Sequence, residues 1–278
     1  MINEAKLMDR PPVMILCGGL GSRLHEETEF RPKPMLEIGG RPILWHIMKL
    51  YAAHGFREFI LCLGYKGHLI KDFFLNYREY QSDLMIHLKG NAKEVEILGN
   101  HAYDDDWKVT LVETGSNAQT GARVKKGSRY IKGETFCLTY GDGVGNIDLD
   151  ALLKFHSGHK TIGTVTGVRP PGRFGELAID GDGRATQFNE KPQVEEGIIN
   201  GGFFVFQKAF LEKYLNDQED LVLEQGPLQR LARDGQLSVY QHQGFWQPMD
   251  TYREFKLLNE LWASGNAPWT EAWKRTKA

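Results

Sequence analysis

Five apolar residues in a row, 13–17 (VMILC), run into Gly18-Gly19. Further on, Ile43, Leu44, Ile47, Met48, Leu50 and Tyr51 recur at helical spacing. The unbroken apolar run predicts a strand buried on both faces, and the stripe predicts an amphipathic helix ended by Gly55. The alternation continues with strands over 59–63, 84–88, 108–112 and 135–140, and helices over 69–77 and around 125–130. Such a rhythm predicts a mostly parallel sheet with helices on both faces. After residue 148 the texture changes. A helix over 149–156 is followed by short strands over 161–168, 176–179, 185–189 and 201–206, set off by Gly, Pro and Asp-Gly turns. Helices return over 209–215, 221–233 and 252–262. The fold class is therefore α/β: a Rossmann-like, mostly parallel or mixed central sheet flanked by helices, with a smaller β-rich lobe. No Pro/Ser-rich linker divides it. Residues 1–11 are expected to be a flexible extension, and 12–148 and 149–278 two halves of one continuous domain.

Composition changes this picture little but excludes several classes. The 278 residues are 41% apolar and 25% charged, with 34 Lys plus Arg against 36 Asp plus Glu. A net charge of −2 gives no electrostatic case for a nucleic-acid polymer or a membrane surface as partner. Any anionic ligand must be held by local geometry. No run approaches the ~18 apolar residues of a membrane span, and the first twelve residues lack a signal-peptide core, so the cytoplasm is expected. Cys17, Cys62 and Cys137 lie in or at the end of apolar strands and read as buried, reduced thiols.

Candidate chemistry begins at the first strand end, LCGGLGSRL, residues 16–24. It fails the dinucleotide fingerprint, because Leu24 stands where the third glycine is needed, and it fails the P-loop, because Arg23 stands at the second glycine. What remains is G-G-x-G-x-R. Glycines let several N–H groups point at one anion, and Arg23 adds a fork of donors. Lys33 follows between Pro32 and Pro34, which should stiffen the chain in an extended form and present one ammonium at a fixed point. Asp142, in Tyr-Gly-Asp-Gly, lies at the carboxyl end of a strand, where open α/β sheets bind ligands; it could equally be a turn former. Asp250 could be a helix cap. His156 and His159 share helical spacing and read as a solvated face.

The quoted turn, with HEET and RPKPMLEIGGRPILWHIM, resembles the start of the sugar-1-phosphate nucleotidylyltransferases. The resemblance continues through GYKGHLIKDFF, WKVTLVETG, TGARV, FCLTYGDGV, PPGRFGEL, NEKP, INGGFFVF and GFWQPMDT, from residue 12 to 269. Within that family it is the cytidylyl branch that the chain looks most like. The resemblance implies the nucleotide-diphospho-sugar transferase fold, CTP and glucose 1-phosphate as substrates, Mg²⁺ as cofactor and a homo-oligomer. It implies Arg23 and Lys33 as catalytic residues and Asp142 with Asp250 as metal ligands. Nucleotide binding falls to Leu16, Gly18, Gly19, Leu20, Gly21, Ser22, Arg23, Thr120, Arg123 and Gly141, and sugar-phosphate binding to Gly175, Glu190, Lys191 and Asn200. Phe245 and Trp246 could stack on a sugar or pack in the core.

Cys17 stands where the family usually has alanine, and Ala122 where Thr-Gly-Gly-Arg would put glycine. If the backbone at 122 needs a positive φ, a Cβ would strain it. The base and the hexose therefore stay open: the same reaction with dTTP, UTP or another hexose 1-phosphate is the nearest alternative. A catalytically silent nucleotide-sugar sensor is the alternative from another class; it would not need Arg23, Lys33, Asp142 and Asp250 together.

Overall fold

The computed structural model describes residues 10–19, 24, 28–89, 92–99, 105–170, 176–179, 184–189 and 197–275. The elements of the first half are β1 (Val13–Cys17), α1 (Ile43–Ala53), β2 (Glu58–Leu63), α2 (Gly67–Leu75), β3 (Asp83–Lys89), β4 (Ala92–Leu98), β5 (Lys108–Glu113), α3 (Thr120–Gly127), β6 (Thr135–Tyr140) and β7 (Gly143–Gly145). Those of the second half are α4 (Leu149–His159), β8 (Gly163–Val168), β9 (Glu176–Ile179), β10 (Ala185–Asn189), β11 (Ile199–Asn200) and β12 (Phe204–Gln207), then α5 (Ala209–Lys213), α6 (Pro227–Arg233), β13 (Leu237–His242), β14 (Trp246–Pro248), α7 (Tyr252–Ala263) and α8 (Glu271–Arg275).

Among the described residues an eight-stranded sheet runs β11-β8-β12-β6-β1-β2-β5, with β13 also paired to β8. Val13 of β1 sits opposite Phe59 of β2 and Cys137 of β6, all parallel. β12 is antiparallel to both β6 and β8, while β13 is parallel to β8. The carboxyl ends of β1, β2, β5, β6, β8 and β13 therefore share one edge. Side chains alternate across β1: Val13, Ile15 and Cys17 enter the apolar layer of α1, Phe56 and Trp269. Met14 and Leu16 enter the opposite layer with Val124, Phe204, Phe206 and Phe210. A strand with both faces covered can be apolar throughout, which explains VMILC. The three cysteines are free and buried, and burial pushes Cys62 and Cys137 up to about 12.

Four expectations change. The strand near 84–88 is not in the main sheet; β3 pairs antiparallel with β4, and Met85, Ile86 and Leu88 are largely exposed. The helix expected over 221–233 begins only at Pro227, which occupies its first turn after Gly226. Proline lacks the N–H that a longer helix would need there. The strand expected over 201–206 is interrupted, because Gly202 (φ 75°) and Phe203 (φ 46°) take left-handed backbone between β11 and β12. His156 is buried, with Nδ1 2.9 Å from Thr164 Oγ1, because positions 149, 152 and 156 share the inner face of α4; His159 is exposed.

Candidate active site

At the shared carboxyl edge, β1 and β6 end side by side. Gly141 donates its N–H to Leu16 O at 3.0 Å, and a Cβ there would stand 2.7 Å from that oxygen and 3.1 Å from Pro34 Cγ. Only glycine lets the three segments close, so Asp142 emerges directly over the end of β1. The ribbon of β7 and β14 then brings in the far end of the chain. Gly143 pairs with Pro248, and Met249 donates its N–H to Asp142 O at 2.8 Å. Asp250 thus arrives beside Asp142.

Lys33 meets both. Pro32 is extended, but Lys33–Met35 forms one 3₁₀ turn closed by Met35 N–H to Pro32 O, so the extended arm expected from the two prolines is a turn instead. The fixed φ of Pro34 suits such a turn as well as an extended chain. The Lys33 Nζ donates to Asp142 Oδ2 at 2.6 Å and Asp250 Oδ1 at 2.5 Å. Its side chain is 12% exposed, against 34% and 30% for the two carboxylates. Burial alone would lower the lysine pKa; the charge and hydrogen bonds of Asp142 and Asp250 outweigh it and hold the ammonium above its ordinary value.

Asp250 is not a helix cap. Thr251 caps α7 by accepting from Glu254 N–H, and Glu254 Oε2 accepts from the N–H of both Thr251 and Asp250. The capping box leaves the Asp250 carboxylate facing Lys33. Tyr140, Asp142, Asp250, Glu254, Ile199 and Trp246 border a cavity of about 300 Å³. Trp246 is fixed by its Nε1–H on Gly201 O, whereas Phe245 stacks on Trp269 in the core.

On the expected nucleotide side, Gly18, Gly19 and Leu16 lie at the end of β1, and Thr120 and Arg123 on α3. Arg123 is buried. It donates from Nη1 to Leu63 O, Thr114 Oγ1 and Gly115 O, and from Nη2 to Gly18 O and Ser116 O. Its guanidinium therefore braces the ends of three strands, β1, β2 and β5. Ala122 is helical and buried, and no left-handed backbone occurs there, so its Cβ causes no strain. Leu20, Gly21, Ser22, Arg23, Gly175, Glu190 and Lys191 lie outside the described residues.

The structure adds Glu224, which nothing in the sequence singled out. Its carboxylate accepts from Thr120 Oγ1 at 2.8 Å and from Tyr140 Oη at 2.6 Å. Asn200, at the end of β11, donates to Tyr140 Oη at 3.1 Å. A second group of ligating type, His54, Asp148 and Asp150, is a different matter. Asp150 is paired with Arg10 and His54, and Asp148 caps α4 through Ala151 N–H. Arg10 precedes β1, at the opposite edge of the sheet, so this cluster joins termini of elements and stands apart from the cavity.

A cavity at the carboxyl edge, two carboxylates and one ammonium suit the handling of phosphates, and comparison with known proteins gives the family. Residues 12–251 match the model of the nucleotidyl transferases. The chain is a member of the nucleotidyl transferase family. It is 48% identical to the glucose-1-phosphate cytidylyltransferase of Salmonella typhi over 92% of this chain and 97% of that one. It is 44% identical to the probable glucose-1-phosphate cytidylyltransferase of Bacillus subtilis, over 92% and 98%. The fold of this nucleotidyl transferase also matches the crystal structure of HddC from Yersinia pseudotuberculosis in complex with GMP-PN. The TM-score is 0.65 at 23% identity, over 91% of this chain and 100% of that one.

Proposed function

We propose that this nucleotidyl transferase joins CTP to α-D-glucose 1-phosphate, giving CDP-glucose and diphosphate. The observation that carries the reading is the convergence of Lys33, Asp142 and Asp250 in a chain nearly half identical to cytidylyltransferases acting on glucose 1-phosphate. A phosphate oxygen of the sugar attacks the α-phosphorus of CTP in line; the bond to the β-phosphate oxygen breaks and diphosphate leaves. The substrate supplies its own nucleophile, so the protein contributes alignment and neutralisation.

Lys33 provides one positive charge at the α-phosphate and the departing diphosphate. The N–H groups of Gly18, Gly19 and Gly21, with Arg23, cradle the outer phosphates. The two aspartates fit a divalent cation, since hard carboxylate oxygens already converge on a single cationic group at a half-open cavity. Asp142 and Asp250 would hold Mg²⁺, which neutralises phosphate charge when bound. Glu190 and Asn200 take the sugar hydroxyls and Lys191 the sugar phosphate, with Gly175 offering close backbone approach. In this reading 12–148 handles the nucleotide and 149–278 the sugar phosphate. A cytoplasmic location and homo-oligomeric assembly belong to the same likeness.

The test is a matrix of four nucleoside triphosphates against several hexose 1-phosphates, read by diphosphate release with Mg²⁺ present and absent. The reading expects the highest kcat/KM for CTP with glucose 1-phosphate, and dependence on the cation. A higher value for another pair would reassign base or sugar; no release with any pair would leave a non-catalytic binder.

A further inference from the structure

Four side chains from four segments form one directed chain of hydrogen bonds that meets the cavity at Tyr140. The Gly202 N–H donates to Asn200 Oδ1 at 2.9 Å, which assigns the oxygen of that amide. The amide nitrogen then donates to Tyr140 Oη at 3.1 Å. Tyr140 has its lone pair occupied there, and its own proton goes to Glu224 Oε1 at 2.6 Å. The other carboxylate oxygen accepts from Thr120 Oγ1 at 2.8 Å, and that hydroxyl accepts the Leu223 N–H at 2.9 Å. An ionised carboxylate only accepts, so both hydroxyls must point at Glu224. Tyr140 borders the cavity, and Glu224 reaches it through the Tyr140 hydroxyl.

We propose that Glu224 is a positioning residue for the sugar: by fixing the direction of the Tyr140 O–H, it holds, together with the Gly202 N–H, the Asn200 amide in one orientation toward the hexose. Its tie to Thr120 anchors the same carboxylate to the first turn of α3. The assignment rests on the hexose 1-phosphate reading above. Reversal of the amide would exchange a donor for an acceptor toward the sugar hydroxyls and set the amide nitrogen against the Gly202 N–H. A site built around one hydroxyl pattern discriminates strongly against a mismatched one, because buried polar groups are left unpaired.

Glu224→Gln is the informative substitution. Its amide oxygen can keep the Thr120 proton, while its nitrogen now donates to Tyr140. The tyrosine proton then turns to Asn200, which must present oxygen. Tyr140→Phe removes the relay and leaves the carboxylate intact. Both variants, and the pair combined, are assayed with the best substrate pair of the matrix, so a wrong sugar assignment does not disable the test. Sugar-phosphate affinity is also measured by calorimetry, and folding by thermal melting. The expected result is at least a tenfold rise in KM and Kd for the hexose 1-phosphate in each single variant. The KM for the nucleotide should stay within about threefold, the melting temperature should be near wild type, and the double variant should be no worse than the singles. Unchanged sugar-phosphate affinity in Tyr140→Phe overturns the proposal even if the Glu224 variant misfolds. So does an equal loss for both substrates, which would mark Glu224 as a general brace.

Discussion

Lys33 and Asp250, 217 residues apart in the chain, share a hydrogen bond of 2.5 Å at the edge of the cavity. With the second bond to Asp142, the lysine ammonium occupies the point on which both carboxylates converge. A divalent cation held by the same oxygens must displace it or share them. The ammonium is thus both a substitute for the cation and, once phosphates arrive, a second positive charge beside it. Two carboxylates left facing each other in a half-buried cleft would repel, and Lys33 removes that cost.

The competition is measurable without turnover. Lys33→Met should bind Mn²⁺ more tightly than wild type in the absence of substrates, by on the order of tenfold, equivalent to ~1.4 kcal/mol. Its turnover should fall on the order of a hundredfold, because a charge aimed at the reacting phosphates is gone. Asp142→Asn and Asp250→Asn should each weaken Mn²⁺ binding. Electron paramagnetic resonance of free Mn²⁺ reads all three. Equal affinity in Lys33→Met and wild type would mean that the carboxylates do not hold the cation at that point.

Arg123 makes a second prediction, for stability. Its guanidinium lies between Gly18 and Gly64, and a Cβ at either glycine would run into it. Five fixed acceptors keep it from moving aside. Arg123→Ala strands buried carbonyls and should cost about 3 kcal/mol in chemical denaturation. Arg123→Lys should recover little of that, since one ammonium cannot reproduce the planar fork. Gly64→Ala should cost a similar amount, and Gly64→Ala with Arg123→Ala together should cost less than the sum of the two. Additive losses would show that the two positions do not meet.

The capping box makes a third. Thr251→Ala removes the acceptor for Glu254 N–H and should lower stability by about 1 kcal/mol. Glu254→Ala removes the acceptor that fixes the Asp250 N–H, and should also raise the cation concentration needed for half-maximal activity. If Thr251→Ala and Glu254→Ala shift that concentration equally, helix stability rather than the Asp250 backbone is what matters.

The parts of the fold legible in the sequence are those where one local signal suffices. VMILC needs only to be apolar and short to become the central strand, and 43–53 needs only its stripe to become a helix against it. The ribbon β3–β4 misleads because alternating strands look alike whether or not they join the main sheet. In the site, Lys33, Asp142 and Asp250 stand out by their motifs, but their meeting depends on Gly141 and on the Gly143–Pro248 pairing, which no local pattern contains. Arg123 stands out by its motif, but its bracing of Leu63 and Gly18, 60 and 105 residues away, is in no local pattern. Glu224 sits in a turn that reads as helix, and its partners lie 84 and 104 residues away.

His46 carries the last prediction, a pH dependence of stability. It is fully buried among Trp45, Trp262, Trp269 and Trp273. Its Nε2–H donates to Ile38 O at 2.9 Å, and its Nδ1 accepts from Trp269 Nε1–H at 3.2 Å. That acceptor role requires a neutral ring; a proton on Nδ1 would face another N–H. Burial accordingly lowers its pKa from 6.5 to about 4. Between these two values the unfolded chain binds a proton and the folded chain does not. Stability is therefore full above pH 6.5, falls as pH drops toward 4, and loses nothing further from this group below that. The loss amounts to about 3 kcal/mol. Carboxylates titrate in the lower part of the window, so the measurement is a difference: urea denaturation from about pH 4 to 7 for wild type and for His46→Gln. Glutamine can donate to Ile38 O and accept from Trp269 without titrating. The variant should be the less stable protein at about pH 7, yet lose about 3 kcal/mol less on acidification. Parallel pH curves for the two would show that His46 takes up its proton in the folded state as readily as in the unfolded one.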